Sequence, residues 1–252
     1  MKLQLVRHAT LWLEYANRRF LIDPMLGDAG SKPPIDNTAN ERRNPLVPLP
    51  QPVEHWLRPD LDAVIVTHLH PDHWDEASAE KLPKDIPVLC QPGDEEALRS
   101  SGFTRVTAIQ DRLELEGAGV SLTRTGGRHG TGEIGQRMGR VSGFVFRAPD
   151  EPSLYLAGDT IWCDEVKQAL DRHHPDISIV NAGGARFNVG GPITMDAGQI
   201  LELCRYNCDT QVIAVHMEAI NHCLVTRSDL RRRLEAEDLL QRVTIPADGQ
   251  WV

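Results

Sequence analysis

Between residues 67 and 73 the chain reads Thr67-His68-Leu69-His70-Pro71-Asp72-His73, three imidazoles and a carboxylate within six positions. They follow directly on the apolar run Ala63-Val64-Ile65-Val66. Neutral imidazole and carboxylate are the ligands that borderline divalent ions prefer, and a short buried strand ending in a turn can aim several of them at one point. Alternate side chains of an extended segment point the same way, so His68 and His70 are expected to share one ion. The chain must turn beyond Pro71, which sets Asp72 and His73 toward a second position. Polar clusters beside a buried strand are costly unless something satisfies them, so a chance grouping is the weaker reading.

Three further groups stand where apolar runs give way to loops. His129 lies in Gly126-Gly127-Arg128-His129-Gly130-Thr131-Gly132, Asp159 ends Leu154-Tyr155-Leu156-Ala157-Gly158-Asp159, and His216 ends Val212-Ile213-Ala214-Val215-His216. Strand-to-loop positions are where sheet proteins usually mount function. Singly, His129 reads equally well as a solvated histidine and Asp159 as a helix cap.

The elements that must carry these residues are short and alternate without a linker or low-complexity break, so residues 1–252 read as one domain. Strands are expected at Lys2–Arg7, Thr10–Tyr15, Arg19–Ile22, Ala63–Thr67, Val88–Gln91, Arg105–Ile109, Val120–Thr125, Gly143–Ala148, Leu154–Leu156, Ile177–Val180, Val212–Val215 and Arg242–Ile245. Helices are expected at Asp75–Lys81, Asp94–Ser100, Cys163–Leu170, Asp196–Tyr206 and Arg227–Glu235. Two groups of strands, each followed by helices, fit an α/β fold of two stacked sheets covered on their outer faces. Residues 27–59 hold seven prolines and little periodicity, the pattern of a long ordered loop that lines or covers a site.

Composition narrows the class. With 27 Lys+Arg against 36 Asp+Glu the net charge is -9, which argues against a nucleic-acid partner. No apolar stretch approaches the roughly 20 residues that cross a bilayer, and Met1-Lys2-Leu3-Gln4-Leu5-Val6-Arg7-His8 lacks the apolar core of a signal peptide. Five scattered cysteines do not form a disulfide framework. A cytoplasmic protein with a small-molecule substrate and no membrane partner is expected; its oligomeric state is open.

The ordered set His-x-His-x-Asp-His, then a single His, Asp and His, resembles the metallo-β-lactamase superfamily. With Asp23 in Leu21-Ile22-Asp23-Pro24 the similarity spans nearly the whole chain. A finer likeness, to the metal-dependent hydrolases that include ascorbate-6-phosphate lactonase, rests on His8-Ala9-Thr10, Asp23-Pro24, Gly183-Gly184 and Pro192-Ile193-Thr194-Met195-Asp196-Ala197. The resemblance implies a four-layer αββα sandwich of two mixed sheets with the site at one edge. It implies that His68, His70 and His129 hold one ion, that Asp72, His73 and His216 hold the other, and that Asp159 bridges them. Two divalent ions are implied, zinc first with manganese or iron as alternatives. A hydroxide held between them would attack an ester, lactone or phosphodiester of a small substrate, anionic ones included, with Asp72 orienting the water.

Asp23 and Thr67 are expected to support the ligating imidazoles. His222 is a candidate general acid or substrate contact. His8, Arg128, Arg140 and Trp162 are candidate substrate contacts, with Arg137 and Arg186 nearby, although Arg7 replaces the glycine that precedes the family's histidine. Three other functions compete: iron-dependent oxygen chemistry, a nuclease-type phosphodiesterase, and a metal-stabilised sensor without turnover. The first is disfavoured by His70, where the diiron members carry a glutamate. The nuclease reading suffers from the acidic balance, and the sensor reading from a complete ligand set.

Overall fold

The runs Ala63–Val66, Val88–Cys90, Leu154–Leu156 and Val212–Val215 are apolar at every position, which means that both faces of the sheets they form must be covered. A computed structural model, describing residues 1–117 and 119–252, resolves that demand into layers. The first sheet takes β1 (Lys2–Arg7), β2 (Thr10–Tyr15), β3 (Arg18–Ile22), β4 (Ala63–Val66), β5 (Val88–Cys90) and β6 (Val106–Ala108) in that spatial order. The second takes β13 (Val243–Thr244), β12 (Gln211–Val215), β11 (Ile177–Asn181), β10 (Leu154–Leu156), β9 (Ser142–Arg147), β8 (Val120–Gly126) and β7 (Arg112–Leu115). Each sheet begins as an antiparallel meander and ends as a parallel run, so both are mixed.

Alternation along each strand sends successive side chains to opposite faces. In β4, Ala63 and Ile65 face a central core with Leu5, Leu13, Phe144, Phe146 and Ile179, which draws on both sheets. Val64 and Val66 face outward and pack with Leu82, Leu98 and Phe103 around α1 (Glu76–Lys81) and α2 (Glu95–Ser100). Across the second sheet, Val180, Val212 and Ala214 pack against Val166, Leu170, Ile200, Leu203, Leu230 and Leu234. Those residues belong to α4 (Asp164–His173), α5 (Ala197–Tyr206) and α6 (Arg227–Ala236). Full burial of each such side chain stabilises by about 1.5–3 kcal/mol. The result is the four-layer αββα sandwich.

The helices start where polar caps satisfy free backbone N–H groups: Asp75 accepts from Ser78 N at 2.8 Å, Asp196 from Gln199 N at 3.1 Å, and Thr226 with Asp229 forms a capping box. Asp75 and Asp196 are therefore caps, one residue before the helices expected to begin on them. Two elements escape the sequence reading. The edge strand β7 alternates only half-buried and exposed residues. A short α3 (Gly132–Met138) holds two glycines and buries no residue, so neither propensity nor periodicity announces it. Residues 27–59 are mostly irregular, as expected, with a 3-10 turn at Val53–His55. Among the described residues no helix is long and apolar enough to cross a membrane.

Candidate metal centre

The expected ligands all lie in the segments that follow the carboxyl ends of strands, where open α/β sheets present ligands. Thr67 and His68 follow β4, and a tight turn, with His73 N and Trp74 N both donating to His70 O at 2.9 Å, brings Asp72 and His73 back over it. His129, Asp159 and His216 follow β8, β10 and β12. All seven expected ligands come together. The imidazole nitrogens of His68, His70 and His129 lie within 4.8 Å of one another, and Asp72, His73 and His216 form a second such group that also takes in His8.

Asp159 stands between the groups. Its Oδ2 lies 3.4 Å from His129 Nε2 and 3.9 Å from His68 Nε2, while Oδ1 lies 3.2 Å from His73 Nε2 and 3.3 Å from His216 Nε2. Asp72 Oδ2 completes the second group at 3.5 Å from His216 Nε2 and 4.0 Å from His73 Nε2.

Hydrogen bonding on the far side of the rings decides which atoms face inward. His129 Nδ1–H donates to Ile193 O at 2.7 Å, and His73 Nδ1–H donates to Asp23 Oδ2 at 2.8 Å. Thr67 Oγ1 donates to Asp23 Oδ2 at 2.7 Å, leaving its lone pairs for His68 Nδ1–H at 3.1 Å. Each ring is thereby set to present a bare Nε2 to the centre. His68 Nε2 is buried with no hydrogen-bond partner, and His73 Nε2 meets His216 Nε2 at 3.2 Å. Converging lone pairs and two buried carboxylates repel one another unless a cation lies among them, so the donor set fits divalent metal.

The electrostatics express the same demand. Burial alone would raise the Asp159 carboxyl, but His216, His73 and His129 outweigh it and hold it well below its ordinary value. Asp72 is likewise held low against burial by His73, His216 and His8. Burial opposes charge on His73, yet Asp159, Asp23 and Asp72 draw positive charge to it and raise its pKa well above the ordinary range. Burial pushes His68 well down and His129 down.

Asp23 and Thr67 lie where second-layer supports belong. Asp23 sits at φ 44° after β3 and accepts from Thr67 N at 2.7 Å as well as from Thr67 Oγ1 and His73. His8 is fully buried, with Nε2 3.1 Å from Asp72 Oδ2 and its ring 3.6 Å from that of His216. It therefore orients Asp72 rather than reaching into solvent for a substrate. His222 is buried, with Nδ1 unpartnered, and burial lowers its pKa to about 4. At neutral pH it is an uncharged imidazole, suited to hydrogen bonding rather than to giving up a proton as imidazolium.

Arg140 borders a cavity with His68 and His70, whereas Arg128 turns to Glu165 at 3.0 Å. Arg186 Nη2 faces Asp196 at 3.7 Å. Trp162 stands edge-on to Tyr206 with Lys167 over its ring, between outer helices, rather than against a metal ligand. Trp74 packs on Phe103. Sequence reasoning missed Asn181, whose Nδ2 donates to Asp159 Oδ1 at 2.6 Å; its place at the end of β11 is the same strand-end signal that marked the ligands. The Ile193 carbonyl that fixes His129 is backbone and carries no residue-type signal.

Comparison with known proteins identifies the family and the fold. Residues 18–217 match the family described as Beta-lactamase superfamily domain. The chain is 37% identical over 253 residues to UPF0173 protein YddR of Bacillus subtilis (strain 168), covering 99% of this chain and 98% of that protein. The crystal structure of isothiocyanate hydrolase from Delia radicum gut bacteria superposes with a TM-score of 0.95 at 38% identity, covering 100% of this chain and 98% of the other. That of a possible metal-dependent hydrolase from Veillonella parvula DSM 2008 also gives 0.95, at 34% identity and the same coverage. The chain thus belongs to the metallo-β-lactamase superfamily and, within it, to the UPF0173 family of metal-dependent hydrolases.

Proposed function

We propose that the centre holds two divalent ions, zinc first with manganese or iron as alternatives, and hydrolyses a small electrophilic substrate in the cytoplasm. The observation that carries this reading is Asp159, which offers one carboxylate oxygen to each of two histidine groups. When bound, two ions at such a site lower the pKa of a shared water toward neutrality and polarise the bond under attack. The chain's own residues do the rest. Asp72, held ionised and fixed by His8, accepts a hydrogen bond from the attacking water and so aims its lone pair. Asn181 keeps Asp159 from rotating, and Asp23 keeps His73 in the ligating tautomer.

Isothiocyanates stand first among substrates, because the hydrolase that superposes at 0.95 acts on them by name. Water adds its oxygen to the central carbon and a proton to nitrogen, and the resulting thiocarbamic acid splits into an amine and carbonyl sulfide. Esters, lactones and phosphodiesters, the class implied by the lactonase-like motifs, form the second reading. The test is turnover of an isothiocyanate, a lactone and bis(p-nitrophenyl) phosphate by metal-analysed protein. Asp159→Ala and His70→Ala should each lower kcat/KM by more than the roughly 10–100-fold typical of outer supports, and Asp159→Ala should also reduce the metal content. Unchanged turnover in either variant at equal metal occupancy would sink the two-ion reading.

A further inference from the structure

Of the candidate ligands, His70 and Asp72 keep the most exposure, and each opens into its own cavity on either side of Pro71. The cavity at His70, about 400 Å³, is polar and bordered by Gln91, Asp94 and Arg140. The one at Asp72, about 300 Å³, is walled by Met25, Pro33, Pro34, Ile35, Pro45 and Ile220. Its one cationic side chain, Lys32, lies 3.9 Å from Glu76, and its one carboxylate is Asp72 itself. An anionic group is therefore disfavoured there, while a hydrocarbon would replace poorly held water against apolar walls.

The walls are fixed in advance. Asn221, five residues past His216, accepts from Ile35 N at 3.0 Å and Asn44 Nδ2 at 2.8 Å, and donates to Thr38 Oγ1 at 2.7 Å and Asn40 O at 2.9 Å. From the other side the buried guanidinium of Arg7 donates to Met25 O at 2.6 Å, Gly27 O at 2.9 Å and Val47 O at 3.0 Å. A proline-rich wall held at both ends loses little entropy when a ligand arrives.

We infer that the cavity beside Asp72 receives the hydrocarbon part of the substrate, so that the protein selects compact, uncharged alkyl or aryl electrophiles. The inference rests on the hydrolase reading above, with the reacting carbon beside Asp72 and the polar end toward His70. Two measurements separate their fates. In turnover, kcat/KM should rise about fourfold per methylene from methyl through butyl to hexyl isothiocyanate, and a terminal carboxylate on the hexyl chain should erase the gain. In calorimetry, hexanoate should bind more tightly than acetate by a similar factor per methylene, with a negative heat-capacity change.

Ile35→Trp fills the cavity and Ile35→Asp charges it, while the backbone bonds of residue 35 to Asn221 are untouched; either variant should flatten both series. Melting temperature and metal content establish that the variants are folded and loaded. Equal kcat/KM for methyl and hexyl substrates, or equal affinity for acetate and hexanoate, would overturn the inference. No turnover of any isothiocyanate, ester, lactone or phosphodiester, with hexanoate still preferred, would overturn the hydrolase reading and leave the apolar site standing.

Discussion

Asp23→Asn is a small change with a large expected effect on metal binding. Oδ1 accepts from Thr67 N at 2.7 Å, and Oδ2 accepts from both Thr67 Oγ1 at 2.7 Å and His73 Nδ1 at 2.8 Å. An amide has one acceptor oxygen and one NH2, so whichever way it turns the NH2 faces a donor. The backbone N–H of Thr67 cannot change, but His73 can. The oxygen therefore stays on Thr67 N, and His73 must accept at Nδ1, which moves its proton to Nε2. That is the atom 3.2 Å from both His216 Nε2 and Asp159 Oδ1, so one ligand lone pair disappears. A hydrogen bond to a charged group is worth about 1.5–3 kcal/mol. Supports of this kind typically change metal affinity by about 10–100-fold, or about 1.4–2.8 kcal/mol, which agrees. Competition against a chelating dye should show that loss, concentrated in the binding step that uses His73. A loss below about threefold at both steps would refute the tautomer argument.

Acid stability should follow the buried histidines. Burial lowers the pKa of His8 to about 3 and that of His222 to about 4, whereas in the unfolded chain both titrate near 6.5. Between about 4 and 6.5 the unfolded state binds more protons, so stability is present above that window and is lost as pH falls through it. Melting temperatures followed by circular dichroism from neutral pH to pH 5 should fall, and a flat or rising trend would contradict the assignment. In Gly183→Ala, the new Cβ would stand 2.1 Å from His216 O and 3.0 Å from Cys223 Cβ. The strand end must shift, at about 1–3 kcal/mol, or about 2–4 °C of melting temperature per kcal/mol, and metal affinity should fall with it. An unchanged melting temperature would show that the contact relaxes freely.

The candidate ligands are legible in the sequence because coordination admits few residue types and strand ends supply the directions. The same holds for Asp23, a carboxylate at a strand end before Pro24. Gly183, singled out only as part of a resemblance, proves to be the residue over which the His216 carbonyl passes too closely for any side chain. What stayed hidden depends on distant partners. Nothing near Asn221 indicates that it will grip residues 35–44 across separations of 177 to 186 residues. Arg7 looks like a departure from the family pattern until its guanidinium is seen buried against three carbonyls of the proline-rich segment. The elements α3 and β7 bury too little apolar surface to leave a periodic trace.

The Asp159 carboxylate comes from the second sheet, yet one of its oxygens faces His73 of the first, and the other faces both His68 of the first and His129 of the second. An ion held there would take its ligands from both layers at the rim, away from the apolar core that joins their faces. Neither half of the chain owns a complete site: residues up to 73 lack Asp159 and His216, and residues from 129 onward lack the clustered histidines. Metal affinity therefore measures how well the two sheets are docked. Ion binding in turn adds to the cohesion of the sandwich by mass action, so a chelator should act on this protein as a denaturant of one seam rather than only as an inhibitor.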